Sequence, residues 1–239
     1  DYTNQSRYGE MLGASGRKYP GKVVNAIWAT GLTQALADSY DAVWDSIDGD
    51  SVLAKETGKT GQQIRSFIEA NILEDGIDAY FSGKIRGNFG MHQSTLVHLA
   101  IVRQTGPTKK WFDGLMNNNA STNAMLGLNF ALYNLINNDG MPSEASPGYN
   151  FLWVEKISSY GDLLSRGGID VFAMPRMKRL YDCVLDQINA REFTPDTGDT
   201  QSVFGGMTGT NPQTFETAYR HYKDPRYLAF LSRMNATGG

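Results

Sequence analysis

A single cysteine, Cys183, in a chain of 239 residues rules out an internal disulfide framework and any CxxC redox or metal motif. It lies in YDCVLD, on the apolar face of an expected helix, and reads as a core residue. Histidine is nearly as scarce: His92, His98 and His221 are the whole supply, too few for a multi-histidine metal site. His92 and His98, six apart on one expected helix, lie roughly 240° apart at 3.6 residues per turn and cannot share a ligand. An excess of one charge is also lacking. Lys and Arg number 22 against 25 Asp and Glu, a net charge of −3, so neither nucleic acid nor a membrane surface is an expected partner and any anion recognition must be local. No apolar run approaches the ~20 residues of a membrane span. The N-terminal DYTNQSRYGE does not lead from a basic segment into an apolar one, as a signal peptide would. Phosphate loops, GxGxxG, HExxH and the nucleophile elbow are missing, which leaves ATP-dependent, nicotinamide-dependent and zinc-protease chemistry without support. No cofactor and no metal ion is expected.

What the chain does have is a 41% hydrophobic content, enough for a substantial core, arranged with helical spacing. In residues 23–47 the apolar positions Val24, Ile27, Trp28, Leu32, Ala35, Leu36, Val43, Trp44 and Ile47 recur at threes and fours. Similar patterns at about 60–74, 91–104, 121–137, 150–165, 169–190, 212–222 and 225–235 predict an all-α chain of eight helical segments. TGKTG, RQTGP, NNDGMPSEASPG and FTPDTGDTQSVFGG punctuate them. Strand-like alternation is almost absent, and no fixed repeat is found. Antiparallel helices with short connections fit a bundle, a solenoid or a ring of hairpins. Residues 138–149 and 191–210 are long, polar connections of the kind where function tends to sit.

The densest polar cluster is KIRGNFGMHQSTLVHLA, residues 84–100, where Lys84, Arg86, Asn88, His92 and Gln93 gather at the start of a helix. Free N–H groups and the positive dipole end there favour a carboxylate; Asn88 also fits as an ordinary N-cap. His98, inside LVHLAIV, reads as a packed histidine and His221, before YKDPRY, as a surface one. In SEASPGYNFLWVEKI, residues 143–157, Pro147 and Gly148 form a turn that puts Tyr149 at a loop-to-helix junction. Tyr149 there is either a structural tyrosine or a reactive one. Asp196 and Asp199 in TPDTGD lack the alternating donors of a calcium loop and read as a turn.

Taken in order, GNFGMHQ (87–93), SEASPGYN (143–150), FTPDTGD (193–199) and YKDPRYLAFL (222–231) resemble the helical domain of heparinase II/III-like polysaccharide lyases, a group that includes several alginate lyases. The resemblance runs from SYDAVWD at 39–45 to the C-terminus. It implies an incomplete (α/α) toroid of helical hairpins over residues 1–239 as a single domain. The β-sandwich domain that follows the toroid in the family is not part of this sequence, so the chain reads as the toroid piece of a longer lyase. The family's carboxylate-neutralising asparagine and histidine fall on Asn88 and His92, and its catalytic tyrosine on Tyr149. Many relatives have the first two adjacent, whereas three residues separate them here. A further histidine of many members comes from the β-domain. Arg86, Gln93 and Asn150 are expected substrate contacts, Trp153 and Tyr160 either stacking platforms or core, and the location secreted or periplasmic.

The implied reaction is β-elimination on an acidic polysaccharide: loss of the proton at C5 of a uronate, then expulsion of the oxygen at C4. The developing enolate carries two negative charges, so donors such as Asn88 and His92 must bind it more strongly than the ground state. A tyrosine ionises near pH 10 when unperturbed, so as a base it needs positive charge nearby. Tyr149 could then return the proton to O4. A toroid that binds acidic glycan without cleaving it, or one hosting a glycosidase with carboxylates drawn from Asp139, Glu144 and Asp199, are the alternatives.

Overall fold

The computed structural model describes residues 26–82, 88–118, 126–143, 146–188, 195, 197–198 and 211–237. Among these the chain is all-α. No strand occurs among the described residues, and the one extended pairing among them is an isolated antiparallel bridge between Ile136 and Pro142. No helix among the described residues is long and apolar enough to cross a membrane. The residues divide into two compact units, within 1–127 and within 128–239.

The first unit contains α1 (Ala26–Val43), α2 (Ser51–Thr57), α3 (Gly61–Ile68), α4 (Asp75–Phe81), α5 (Met91–Arg103) and α6 (Thr108–Asn117). A 3-10 turn at Trp44–Ser46 prolongs α1, and a π-turn at Glu69–Glu74 joins α3 to α4 without a break. Local chemistry explains two of the starts. The Asp50 carboxylate accepts the Leu53 N–H at 2.8 Å, and Thr60 and Gln63 satisfy each other's backbone N–H groups in a reciprocal capping box. The helix expected over 60–74 runs on to 81, and α2 and α6 lie where only connections were expected. At the centre is α5, packed on by α1 and α4, with Leu96, Val97, Leu99 and Ala100 fully buried. Gly76 lets α4 come close: a Cβ there would lie 2.5 Å from Leu99 Cδ1.

The second unit contains α7 (Leu128–Asn134), α8 (Pro147–Arg166), α9 (Met177–Asp186), α10 (Pro212–Tyr222) and α11 (Pro225–Thr237), with a 3-10 turn at Val171–Ala173. Proline in the first turn of α8 and α10 supplies a preset φ where no N–H partner is needed. Tyr181, Phe215, Tyr227 and Phe230 form its aromatic centre, with Phe215 and Phe230 4.5 Å apart between ring centroids. A rim of ions surrounds it. Lys178 Nζ and Arg226 Nη2 each lie 2.8 Å from Asp224 Oδ2, and the Tyr227 hydroxyl donates to Asp182 at 2.7 Å.

Candidate functional site

The polar helix start singled out in the sequence is the entry to α5. Gly90 holds the cap position with φ 96°, a backbone that residues with side chains avoid. Gln93 closes the turn: its Oε1 accepts the Gly90 N–H at 2.7 Å, and its Nε2 donates to the Leu126 carbonyl at 3.4 Å. Asn88 is therefore not the cap. Its carbonyl accepts the Met91 N–H at 3.1 Å, and it sits half-buried, with no hydrogen bond among the described residues fixing its side chain.

Below Asn88 the interior is polar. His92 is 1% exposed and Gln93 0%, followed by buried Ser94 and Thr95. Four consecutive residues point around the whole circumference of a helix, so this turn is enclosed on every side. The Gln34 amide donates to the Thr95 hydroxyl at 2.9 Å, and that hydroxyl lies 3.3 Å from the Thr30 carbonyl. The imidazole of His92 packs beside the Tyr80 ring, 5.9 Å between centroids. Burial holds the Tyr80 phenol far above its ordinary pKa, so it stays neutral at any physiological pH. In this conformation a polymer does not touch His92. Lys84 and Arg86 lie outside the described residues.

Tyr149 is the third residue of α8 and half-buried, after Ser146 at the cap and Pro147. Asn150, next to it, turns inward at 1% exposure. Its Nδ2 lies 2.8 Å from Met141 Sδ and 3.4 Å from Gln187 Oε1. Gln187 Nε2 in turn reaches Cys183 Sγ at 3.1 Å. Burial pushes the Cys183 thiol up to about 11, which suits the core role expected of it. The amides of Gln93 and Asn150, expected as sugar contacts, are thus both committed to interior hydrogen bonds. His92 and Tyr149 belong to different units.

The remaining candidates separate in the same way. His98, expected to be packed, is half-buried and lies 3.0 Å from Asp38 Oδ1, because its edge of α5 faces the polar side of α1. His221 is exposed as expected, stacked on Phe172 at 3.8 Å. Trp153 and Tyr160 are core, at 4% and 0% exposure, and cannot stack on a sugar as they stand. Asp139 caps its own turn, accepting the Met141 N–H at 3.0 Å. Glu144, Asp196 and Asp199 lie outside the described residues, as does most of 191–210. No cluster of three or more His, Cys, Asp or Glu is placed to hold a metal among the described residues.

One group escaped sequence reading. Arg103, at the end of α5, inserts its guanidinium between two carboxylates of the π-turn: Nη2 lies 2.8 Å from Glu74 Oε1 and Nη1 3.3 Å from Glu69 Oε2. The Tyr40 hydroxyl donates to the other oxygen of Glu69 at 2.9 Å. Two glutamates five apart match neither helical nor strand spacing, so no periodicity could have flagged them.

Comparison of the chain with models of known protein families gave no match, and neither did comparison with curated proteins or with solved structures.

Proposed function

We propose that this chain is the helical, toroid-type part of a secreted or periplasmic polysaccharide lyase that cleaves a uronic-acid polymer by β-elimination, completed in the full-length protein by a β-sandwich domain. The ordered motifs around Asn88, His92 and Tyr149 motivate the reading. The observation that carries it is at Asn88: Gly90 and Gln93 close the helix start, which leaves a half-buried amide at its mouth without the capping duty that would otherwise explain it. Asn88 is the group a uronate carboxylate would meet first. His92 would join it only when the turn over residues 88–91 opens. Tyr149, at the start of α8, is the acid and base that moves the C5 proton to O4.

The test is incubation of the full-length protein with alginate and with glycosaminoglycans, following the absorbance of the new C4–C5 double bond. Tyr149→Phe is expected to abolish that signal nearly completely with the helical circular dichroism unchanged. Asn88→Ala is expected to lower kcat by ~10²–10³, the loss typical of one donor to a developing oxyanion. Absence of unsaturated product from every uronate polymer, or full activity in Tyr149→Phe, overturns the proposal.

The enclosure of His92 favours a second reading, a helical protein that binds acidic glycan without cleaving it. Saturable binding to the same polymers with no double-bond absorbance would select it.

A further inference from the structure

In an α-helix, residues five apart lie ~140° apart around the axis at 3.6 residues per turn, too far for one guanidinium to hold both side chains. An i→i+5 π-turn brings them back onto one face. Glu69 and Glu74 are the first and last residues of the π-turn, and Arg103 reaches both. The ionic clamp therefore needs the irregular turn.

That turn sets where α4 points. Helix α4 runs antiparallel to α5: Glu74 meets Arg103 at one end, Gly76 lies against Leu99 inside, and Tyr80 lies beside His92 at the other end. Were residues 69–74 to wind as α-helix instead, α4 would turn by about one residue, ~100°, relative to α3. The Tyr80 ring would leave the imidazole, and a residue with a side chain would replace Gly76 against Leu99. Tyr80 is itself an uneasy occupant, since its hydroxyl is buried with no hydrogen-bond partner among the described residues, a cost that something else in the fold must offset.

We infer that Glu69, Glu74 and Arg103 are positioning residues for His92: by holding the π-turn they fix the register of α4 that packs Tyr80 beside the imidazole. Why the imidazole matters rests on the lyase reading; the positioning itself does not. A π-turn amounts to one extra residue accommodated in an α-helix, so removing one residue from it restores α-winding while leaving both flanks in place.

This gives a rescue test that does not depend on activity. Diethyl pyrocarbonate modification of the three histidines is followed by peptide mass spectrometry in the wild type, in Arg103→Met, and in Arg103→Met with exposed Ala70 deleted. In the wild type His92 is expected to react about tenfold or more slowly than His98 and His221, as a buried group does when it reacts only through local opening. Arg103→Met should raise the His92 rate about tenfold with the other two unchanged, and the added deletion should return it to within about twofold of wild type. If Arg103→Met costs the helical circular dichroism, Arg103→Lys, which keeps the charge but not the fork to two carboxylates, takes its place in both variants. An unchanged His92 rate after loss of the clamp overturns the inference, and so does failure of the deletion to restore protection. Failure of the lyase reading shows only in the double-bond assay, so the two are told apart.

Discussion

Phe215, Tyr181, Tyr227 and Phe230 meet in the middle of the second unit at ring-centroid distances of 4.5 to 6.2 Å, whereas the first turn of α5 in the first unit buries His92, Gln93, Ser94 and Thr95 in sequence. Rings stabilise by burying area and by packing edge against face. Buried amides and hydroxyls contribute little net stability when satisfied and cost a good deal when they are not. The contrast is local, since the second unit also buries Asn150 and Gln187: the cluster around Phe215 is built for cohesion, and the start of α5 holds particular polar groups in particular places. Both units have ions at the edge, in different roles. In the second unit Lys178 and Arg226 surround carboxylates beside a regular helix start, and in the first Arg103 grips an irregular turn.

The sharpest way to break this contrast is to remove one member of each interior. Phe215→Ala empties a site 1% exposed and in contact with three other rings, and should cost about 3–5 kcal/mol, read as a fall in the urea midpoint. Gln93→Ala takes away the acceptor for the Gly90 N–H and strips a partner from the Leu126 carbonyl, and should cost about 1–3 kcal/mol. Equal losses would mean that the polar turn is as much a packing core as the aromatic one. A smaller loss for Gln93→Ala together with faster hydrogen exchange at Ser94 and Thr95 would sharpen the distinction.

The same two interiors show what could be read from sequence. The starts of α10 and α11 were legible because Asn211 and Asp224 each stand before a proline and their carbonyl or carboxylate oxygens accept N–H groups of the first turn. The aromatic helices announced themselves by spacing. In contrast, α2 buries no residue and has no apolar stripe to detect, whereas α6 carries Trp111, Phe112, Leu115 and Met116 at helical spacing and was open to detection. Tyr149 at a helix entry followed from Pro147. The enclosure of His92 did not, because a hydropathy pattern counts His, Gln, Ser and Thr as outward-facing, and the ring that packs beside the imidazole comes from α4. The capping role assigned between Asn88 and its neighbours was decided by Gln93, whose reach back to Gly90 is a side-chain conformation rather than a composition. The π-turn depends on Arg103, 29 and 34 residues beyond its partners, and such a contact leaves no local trace.

The smallest effect expected concerns the ionic rim of the second unit. The Arg226 guanidinium, followed by the Lys178 ammonium, holds the Asp224 carboxyl far below the usual carboxylate range. In the unfolded chain the same group takes up a proton near pH ~4. Because the folded value is the lower one, the contribution to stability is complete above pH ~4 and fades as the pH falls further, the unfolded state then binding the proton first. Arg226 is half exposed, so solvent screening keeps the contribution to about 1 kcal/mol or less. Asp224→Asn should therefore lower the urea midpoint slightly at pH 7, and the gap from wild type should close as the pH is taken from 5 to 2. No gap at any pH in that range would mean that Asp224 acts through the hydrogen bond to the Arg226 N–H at the start of α11, which an asparagine can also accept, and that the charges of the rim do no more for this unit than decorate it.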